Sequence, residues 1–172
     1  KQSKEDKKNM VIKRYLDDVI MIINSQYKNK QQMINTYKQQ CFPKGLSLEG
    51  EKGDCNYLET MIINDGHNIE CKHRNKNGGK IYQEFYRGKH AWSYSEEKHK
   101  IGAMIGTFLR IERNSSQTQL AIISMKEKYN ELKGLKYTKE QMKRVTKYLA
   151  CKHTTSPLWH FCNTQSQFMG LD

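Results

Sequence analysis

The stretch Met10-Val11-Ile12-Lys13-Arg14-Tyr15-Leu16-Asp17-Asp18-Val19-Ile20-Met21-Ile22-Ile23-Asn24 constrains this chain more than any other. Two Val- and Ile-rich runs, each of strand length, flank two adjacent carboxylates. The pattern predicts a tight β-hairpin with Asp17 and Asp18 at its tip. Residues 19–23 are apolar without alternation, which predicts a strand covered on both faces. Two like charges side by side repel, so without a partner one would tend to keep its proton. A divalent cation removes that conflict, and Mg²⁺ favours a couple of carboxylates completed by phosphate oxygens and water. A solvated Asp-Asp turn is the plain alternative. Tyr15 two residues ahead and an apolar strand on either side point to the metal.

The rest of the chain supplies the setting. A length of 172 residues suits one domain or two small ones. No stretch has the apolar length of a membrane span, and no signal peptide is evident before the hairpin. The cysteines are Cys41, Cys55, Cys71, Cys151 and Cys162, an odd set without Cys-x-x-Cys. That usage predicts reduced thiols in an intracellular, reducing compartment, with nucleus and organelle not distinguished. The net charge is +12. Residues 1–71 carry 11 Lys and Arg against 10 Asp and Glu, and residues 72–153 carry 19 against 7. The excess therefore falls in the middle of the chain, which suggests a site-bearing part followed by a polyanion-binding part.

In chain order, Lys1–Asn9 reads as a polar lead-in. Lys28–Gln40 reads as a short amphipathic helix with Met33, Ile34 and Tyr37 on one face, stopped at Pro43-Lys44-Gly45. Leu46–Glu49 is predicted to be a strand and Gly50–Gly53 a turn. Tyr57–Ile63 is read as one strand, and Asn64-Asp65-Gly66 as a hairpin turn leading into Ile69–His73. A turn at Asn77-Gly78-Gly79 and a strand over Lys80–Tyr86 follow, then a loop over Gly88–Tyr94. After Ser95 the apolar period becomes helical. Ile101, Met104, Ile105, Phe108 and Leu109 mark a first helix, broken at Asn114-Ser115-Ser116. A second runs from about Gln117 to Leu132 and stops at Lys133-Gly134. A third opens on a capping box of Thr138 and Gln141 and carries Met142, Val145 and Leu149. The tail, 153–172, reads as irregular. The expected class is α+β, a strand-rich half followed by a basic three-helix half.

Tyr15-Leu16-Asp17-Asp18 resembles the Tyr-x-Asp-Asp box of reverse transcriptases, and Arg14 with the following apolar strand is most similar to the Penelope-like branch. Tyr57-Leu58-Glu59 resembles that branch's Phe-Leu-Asp-type strand near the primer grip. Asp65-Gly66, Tyr86-Arg87, and the Lys100-Ile101, Gly106, Arg110, Arg113 and Ser115 pattern also fit, over roughly residues 10–150. The resemblance implies an antiparallel palm portion over 1–94, a helical thumb over 95–152 and a tail over 153–172. It implies an RNA-directed DNA polymerase using Mg²⁺ or Mn²⁺, with RNA and DNA, as a template–primer duplex, for partners. Asp17 would be the main metal ligand, Asp18 a supporting one, and Tyr15 would pack near the primer terminus. Lys98, Lys100, Arg110 and Arg113 would contact phosphates, and Lys44 or Lys52 would assist the leaving pyrophosphate.

The chain also departs from the family. Gly88-Lys89 stands where a Lys-Pro is common, and the His-Pro before the first thumb helix is missing. No counterpart of the family's upstream palm Asp is evident among residues 1–9. These 172 residues are therefore expected to be inactive alone, with an upstream segment or separate chain supplying the fingers and the rest of the palm. A reading of another class is a catalytically silent, reverse-transcriptase-derived RNA-binding component of a ribonucleoprotein. Cys151, His153, His160 and Cys162 contain zinc-ligand types, but their spacing departs from common fingers and coincidence is the simpler account. Trp92 and Trp159 are expected to be packing residues rather than stacking platforms.

Overall fold

A computed structural model describes residues 8–16, 18–41, 54–64, 66–76, 88–156, 158–159 and 162. Their arrangement is α+β, with four helices and two small antiparallel sheets among the described residues. The chain divides into two compact units, residues 1–52 and 53–172.

In the first unit, β1 (Met10–Tyr15) and β2 (Asp18–Ile23) form a hairpin in the register Met10↔Ile23, Ile12↔Met21 and Tyr15↔Asp18. The predicted hairpin is present, but β2 is not covered on both faces. Its residues are half-buried or exposed, and the opposed pair Val11 and Ile22 is 54% and 37% exposed. The reason is the strand count. Among the described residues this sheet has two strands only, and a lone hairpin cannot enclose its own apolar side chains. Helix α1 (Lys30–Cys41) follows, with Met33 buried and Ile34 and Tyr37 half-buried, as its spacing predicts.

The second unit begins with β3 (Cys55–Tyr57), β4 (Thr60–Asn64) and β5 (Ile69–His73), paired in that order. The single strand expected over Tyr57–Ile63 is in fact a tight turn between two strands. Tyr57 pairs with Thr60, leaving Leu58 and Glu59 at the tip, and Leu58 has φ +55°. The first hairpin has the same form: Tyr15 pairs with Asp18, and Leu16 has φ +54°. A left-handed leucine costs roughly 1–2 kcal/mol, which is why leucine is seldom read as a turn former. Both turns carry Tyr-Leu followed by an acidic residue. The β4–β5 connection behaves as expected, with Gly66 at φ +87° and its amide donating to Asn64 Oδ1 at 3.0 Å.

Helices α2 (Glu97–Arg113), α3 (Thr118–Gly134) and α4 (Lys139–Lys152) follow. Their apolar stripes make the core: Met104, Phe108, Ile111, Met125, Tyr129, Leu132, Met142, Val145 and Leu149 are all buried. The capping box is formed, with the Gln141 amide donating to Thr138 Oγ1 at 3.2 Å and the Thr138 amide to Gln141 Oε1 at 3.0 Å. The turn between α2 and α3 also clasps the sheet. The Ser116 amide donates to the Cys71 carbonyl at 2.8 Å, and the Cys71 amide donates to Ser116 Oγ at 3.0 Å. Strands β3–β5 and the three helices thus belong to one compact unit.

The tail is not wholly irregular. Leu158, Trp159 and Cys162 lie in the same core. The indole of Trp159 is fully enclosed, and both oxygens of Glu112 hold this segment, accepting from Trp159 Nε1 at 2.8 Å and Ser156 Oγ at 2.5 Å. The predicted strands at 46–49 and 80–86, the helix stop at 43–45, the turns at 50–53 and 77–79, the lead-in at 1–7 and the end of the tail at 163–172 lie outside the described residues.

Candidate nucleic-acid interface

The hairpin tip carries the first group of predicted residues. Asp18 opens β2 opposite Tyr15, and both are exposed. In an antiparallel pair, opposed residues share a face, so the phenol and this carboxylate stand side by side above the exposed pair Val11 and Ile22. Arg14 braces the turn by donating from Nε to the Leu16 carbonyl at 2.8 Å. Asp17, Lys44 and Lys52 lie outside the described residues. An exposed carboxylate at a turn fits a hard cation that keeps water and substrate oxygens in its shell. Among the described residues, however, no three metal-ligating side chains come together.

The predicted phosphate contacts separate into different classes. Lys98 and Arg113 are exposed on α2, with Lys98 Nζ 2.8 Å from Glu96. Lys100 is not available to a phosphate. It is 6% exposed, and its ammonium donates to the carbonyls of Ala91 at 2.5 Å and Ser93 at 2.6 Å. A lysine on the inner side of a helix facing open carbonyls is drawn inward, because a buried ammonium must have acceptors.

Arg110 belongs to a cleft of about 140 Å³ between the end of β5 and helices α2 and α3. Arg74, Lys76, Arg110 and Lys128 bring four cations to it against the single carboxylate of Glu59, which Arg110 approaches at 3.2 Å. Lys128 is also 2.6 Å from Glu131. His73, Asn75, Thr107 and Ser124 add polar groups to the wall. These side chains are of the types that meet phosphate oxygens by charge and hydrogen bonding, contacts that read no bases. Of the cations lining this cleft, sequence reasoning singled out Arg110 and passed over Arg74, Lys76 and Lys128. Arg74-Asn75-Lys76 directly after an apolar strand was the signal for the first two, whereas Lys128 is brought in only by helix packing.

His73 is held below its ordinary pKa, first by burial and then by the balance of Glu59 and Glu127, which raise it, against Arg110 and Lys128, which lower it. Folding therefore favours the neutral ring. Stability should be complete above the ordinary value of 6.5. It should decline as pH falls from there towards the lower native pKa, because the unfolded chain takes the proton first. Urea denaturation at a series of pH values should show this decline, and His73→Gln should reduce it. An unchanged profile in the variant would assign the dependence elsewhere.

Basic residues occur in both units. Residues 1–52 carry 11 Lys and Arg against 6 Asp and Glu, and residues 53–172 carry 19 against 12. Both units are basic, so the asymmetry seen along the sequence does not separate them.

The cysteine–histidine group of the tail behaves as packing and surface. Cys162 is buried with its Sγ 4.0 Å from Met125 Sδ, and burial, assisted by Glu112, pushes its thiol up to about 12. Cys151 is exposed, and His160 lies outside the described residues. No helix among the described residues is long and apolar enough to cross a membrane.

Comparison with protein-family models, with curated proteins and with solved structures returned no match.

Proposed function

We infer that this chain is the palm-end and thumb portion of a reverse-transcriptase-like polymerase, acting on a template–primer duplex. The observation that carries the reading is the form of Tyr15-Leu16-Asp17-Asp18. An aromatic and a carboxylate face each other in register at a two-residue hairpin, exposed and available to a ligand. In this reading Asp17 and Asp18 hold Mg²⁺ or Mn²⁺, which supplies charge neutralisation for phosphoryl transfer when bound. Tyr15 packs beside the primer terminus. The cleft cations Arg74, Lys76, Arg110 and Lys128, with exposed Arg113 and Lys98, bind phosphates of the duplex. Half-exposed apolar side chains on the hairpin suit a sheet completed by further strands from an upstream segment or a separate chain.

A second reading, the silent RNA-binding component of a ribonucleoprotein, is favoured by one observation, the cleft of Arg74, Lys76, Arg110 and Lys128, which needs no metal to meet phosphates. Primer extension separates the two, using the chain joined to an upstream segment that supplies a palm strand with its own Asp. Extension that depends on Asp17 supports the polymerase. Its absence, with RNA binding retained, supports the ribonucleoprotein.

Duplex binding itself should be steeply salt-dependent. If the four cleft cations each meet a phosphate, affinity should fall by about 10²-fold between 50 and 200 mM salt. Arg74→Glu with Lys76→Glu should weaken all duplex sequences alike and flatten the salt slope, as measured by fluorescence anisotropy. Binding insensitive to salt would exclude this cleft as a phosphate site.

A further inference from the structure

The loop before α2, Gly88–Glu96, is tethered at several points and yet displays two aromatic rings. The tethers are all to its backbone. Lys100 donates its buried ammonium to the carbonyls of Ala91 and Ser93, on either side of Trp92. The Ala91 amide donates to the Leu135 carbonyl at 2.9 Å, and Tyr137 donates its hydroxyl to the Lys89 carbonyl at 2.9 Å. Within the loop the Ser93 amide donates to the His90 carbonyl at 3.1 Å. Gly88 sits so close to α3 that a Cβ there would meet Leu135 Cδ1 at 2.9 Å.

Burial alternates along the loop. Ala91, Ser93 and Ser95 are half-buried, while Trp92 is 74% exposed and Tyr94 fully so. Trp92 was expected to pack, as Trp159 does, and it does not. A single surface aromatic calls for no explanation. Here the backbone is held by a buried ammonium, an expensive group to desolvate, and the same tethers keep Trp92 from folding inward. The His90 ring lies 4.9 Å from the indole at a tilt of 42°, bracing it from one side. Lys89 is exposed on the same loop, exposed Lys98 is held 2.8 Å from Glu96, and the chain as a whole carries a net charge of +12.

We propose that Trp92, with Tyr94 beside it on the Lys100-anchored loop, is a stacking platform for unpaired bases of single-stranded nucleic acid. The inference rests on the nucleic-acid reading above and adds a ligand which that reading does not assign. A duplex hides its base faces, whereas a single strand can lay one on the indole while Lys89 meets a phosphate. Stacking needs no particular base, so sequence preference should be slight.

The chain has two tryptophans, and Trp159 is fully enclosed, so a change in intrinsic fluorescence on binding reports on Trp92. The 172-residue protein is titrated with a mixed-sequence single-stranded RNA of about twenty nucleotides, enough to cover a site of this kind, and with a duplex of equal length. The single strand should quench the Trp92 emission. Trp92→Ala should weaken single-strand binding about tenfold, the order of one stacked base, while Trp92→Phe recovers most of it and duplex affinity stays the same. Circular dichroism establishes that each variant is folded. If Trp92→Ala binds single strands as tightly as the parent, without quenching in the parent, while duplex binding persists, the platform is wrong and the nucleic-acid reading stands. If neither form of nucleic acid binds, both fail. If the substitution changes self-association in sedimentation and leaves RNA binding unaltered, the loop is a protein contact and the proposal is overturned.

Discussion

Replacing Trp159 by alanine is expected to destabilise the unit spanning residues 53–172 by about 3–5 kcal/mol, the range for truncating an enclosed aromatic. The indole has no exposed surface, lies 6.4 Å from the Phe108 ring in a tilted arrangement, and donates to Glu112 at 2.8 Å. Truncation leaves a cavity that the helices cannot fill without moving. It also removes one of the two donors that hold the Glu112 carboxylate. Trp159→Phe should cost less, since it keeps most of the ring volume and loses chiefly the hydrogen bond. Urea denaturation followed by circular dichroism measures both. A loss within about 0.5 kcal/mol for the alanine variant, the level of an ordinary surface change, would mean that Trp159 does not belong to this core.

Primer extension by the chain joined to an upstream palm segment is expected to fall about 10²-fold or more on Asp17→Ala, because small misplacements at a reacting centre carry penalties of that size. The isolated 172 residues should extend no primer. The carboxylate of Asp18 is exposed at the start of β2. One carboxylate pair at an exposed turn is too loosely placed to align an attacking and a leaving oxygen. Duplex affinity, which the proposed function assigns to the cleft cations of residues 53–172, should survive Asp17→Ala. That separates loss of chemistry from loss of binding. Extension by the isolated chain would show that its own residues complete the site. Full activity in the variant would remove Asp17 from any catalytic role.

Local pattern was sufficient for the elements whose outcome depends on neighbours in the chain. The period of Ile101, Met104, Ile105, Phe108 and Leu109 yields α2, Thr138 and Gln141 form their capping box, and Gly66 turns at positive φ where a glycine is required. The first hairpin was legible for the same reason, since two apolar runs separated by acidic residues have few other ways to fold, but its tip was not placed exactly where it lies: Leu16 turns at φ +54° and Asp18 is already paired in β2. The second tight turn was not, because leucine in the left-handed region runs against local preference. Its tyrosine, leucine and acidic residue repeat those of the first turn, a signal visible only when the two are compared.

By itself, then, the sequence determined the α+β class, the helical stripes of the core and the presence of an acidic hairpin in a basic chain. These depend on periodicity, turn chemistry and charge, which are local or additive quantities. Only the tertiary structure decided the use of individual side chains. It turned Lys100 inward onto two carbonyls and left Trp92 in solvent while enclosing Trp159. It also brought Arg74 and Lys76 to Arg110 and Lys128 from distant parts of the chain. A lysine or a tryptophan has the same character in every sequence, but the free energy of exposing it depends on the acceptors, cavities and charges that packing places around it.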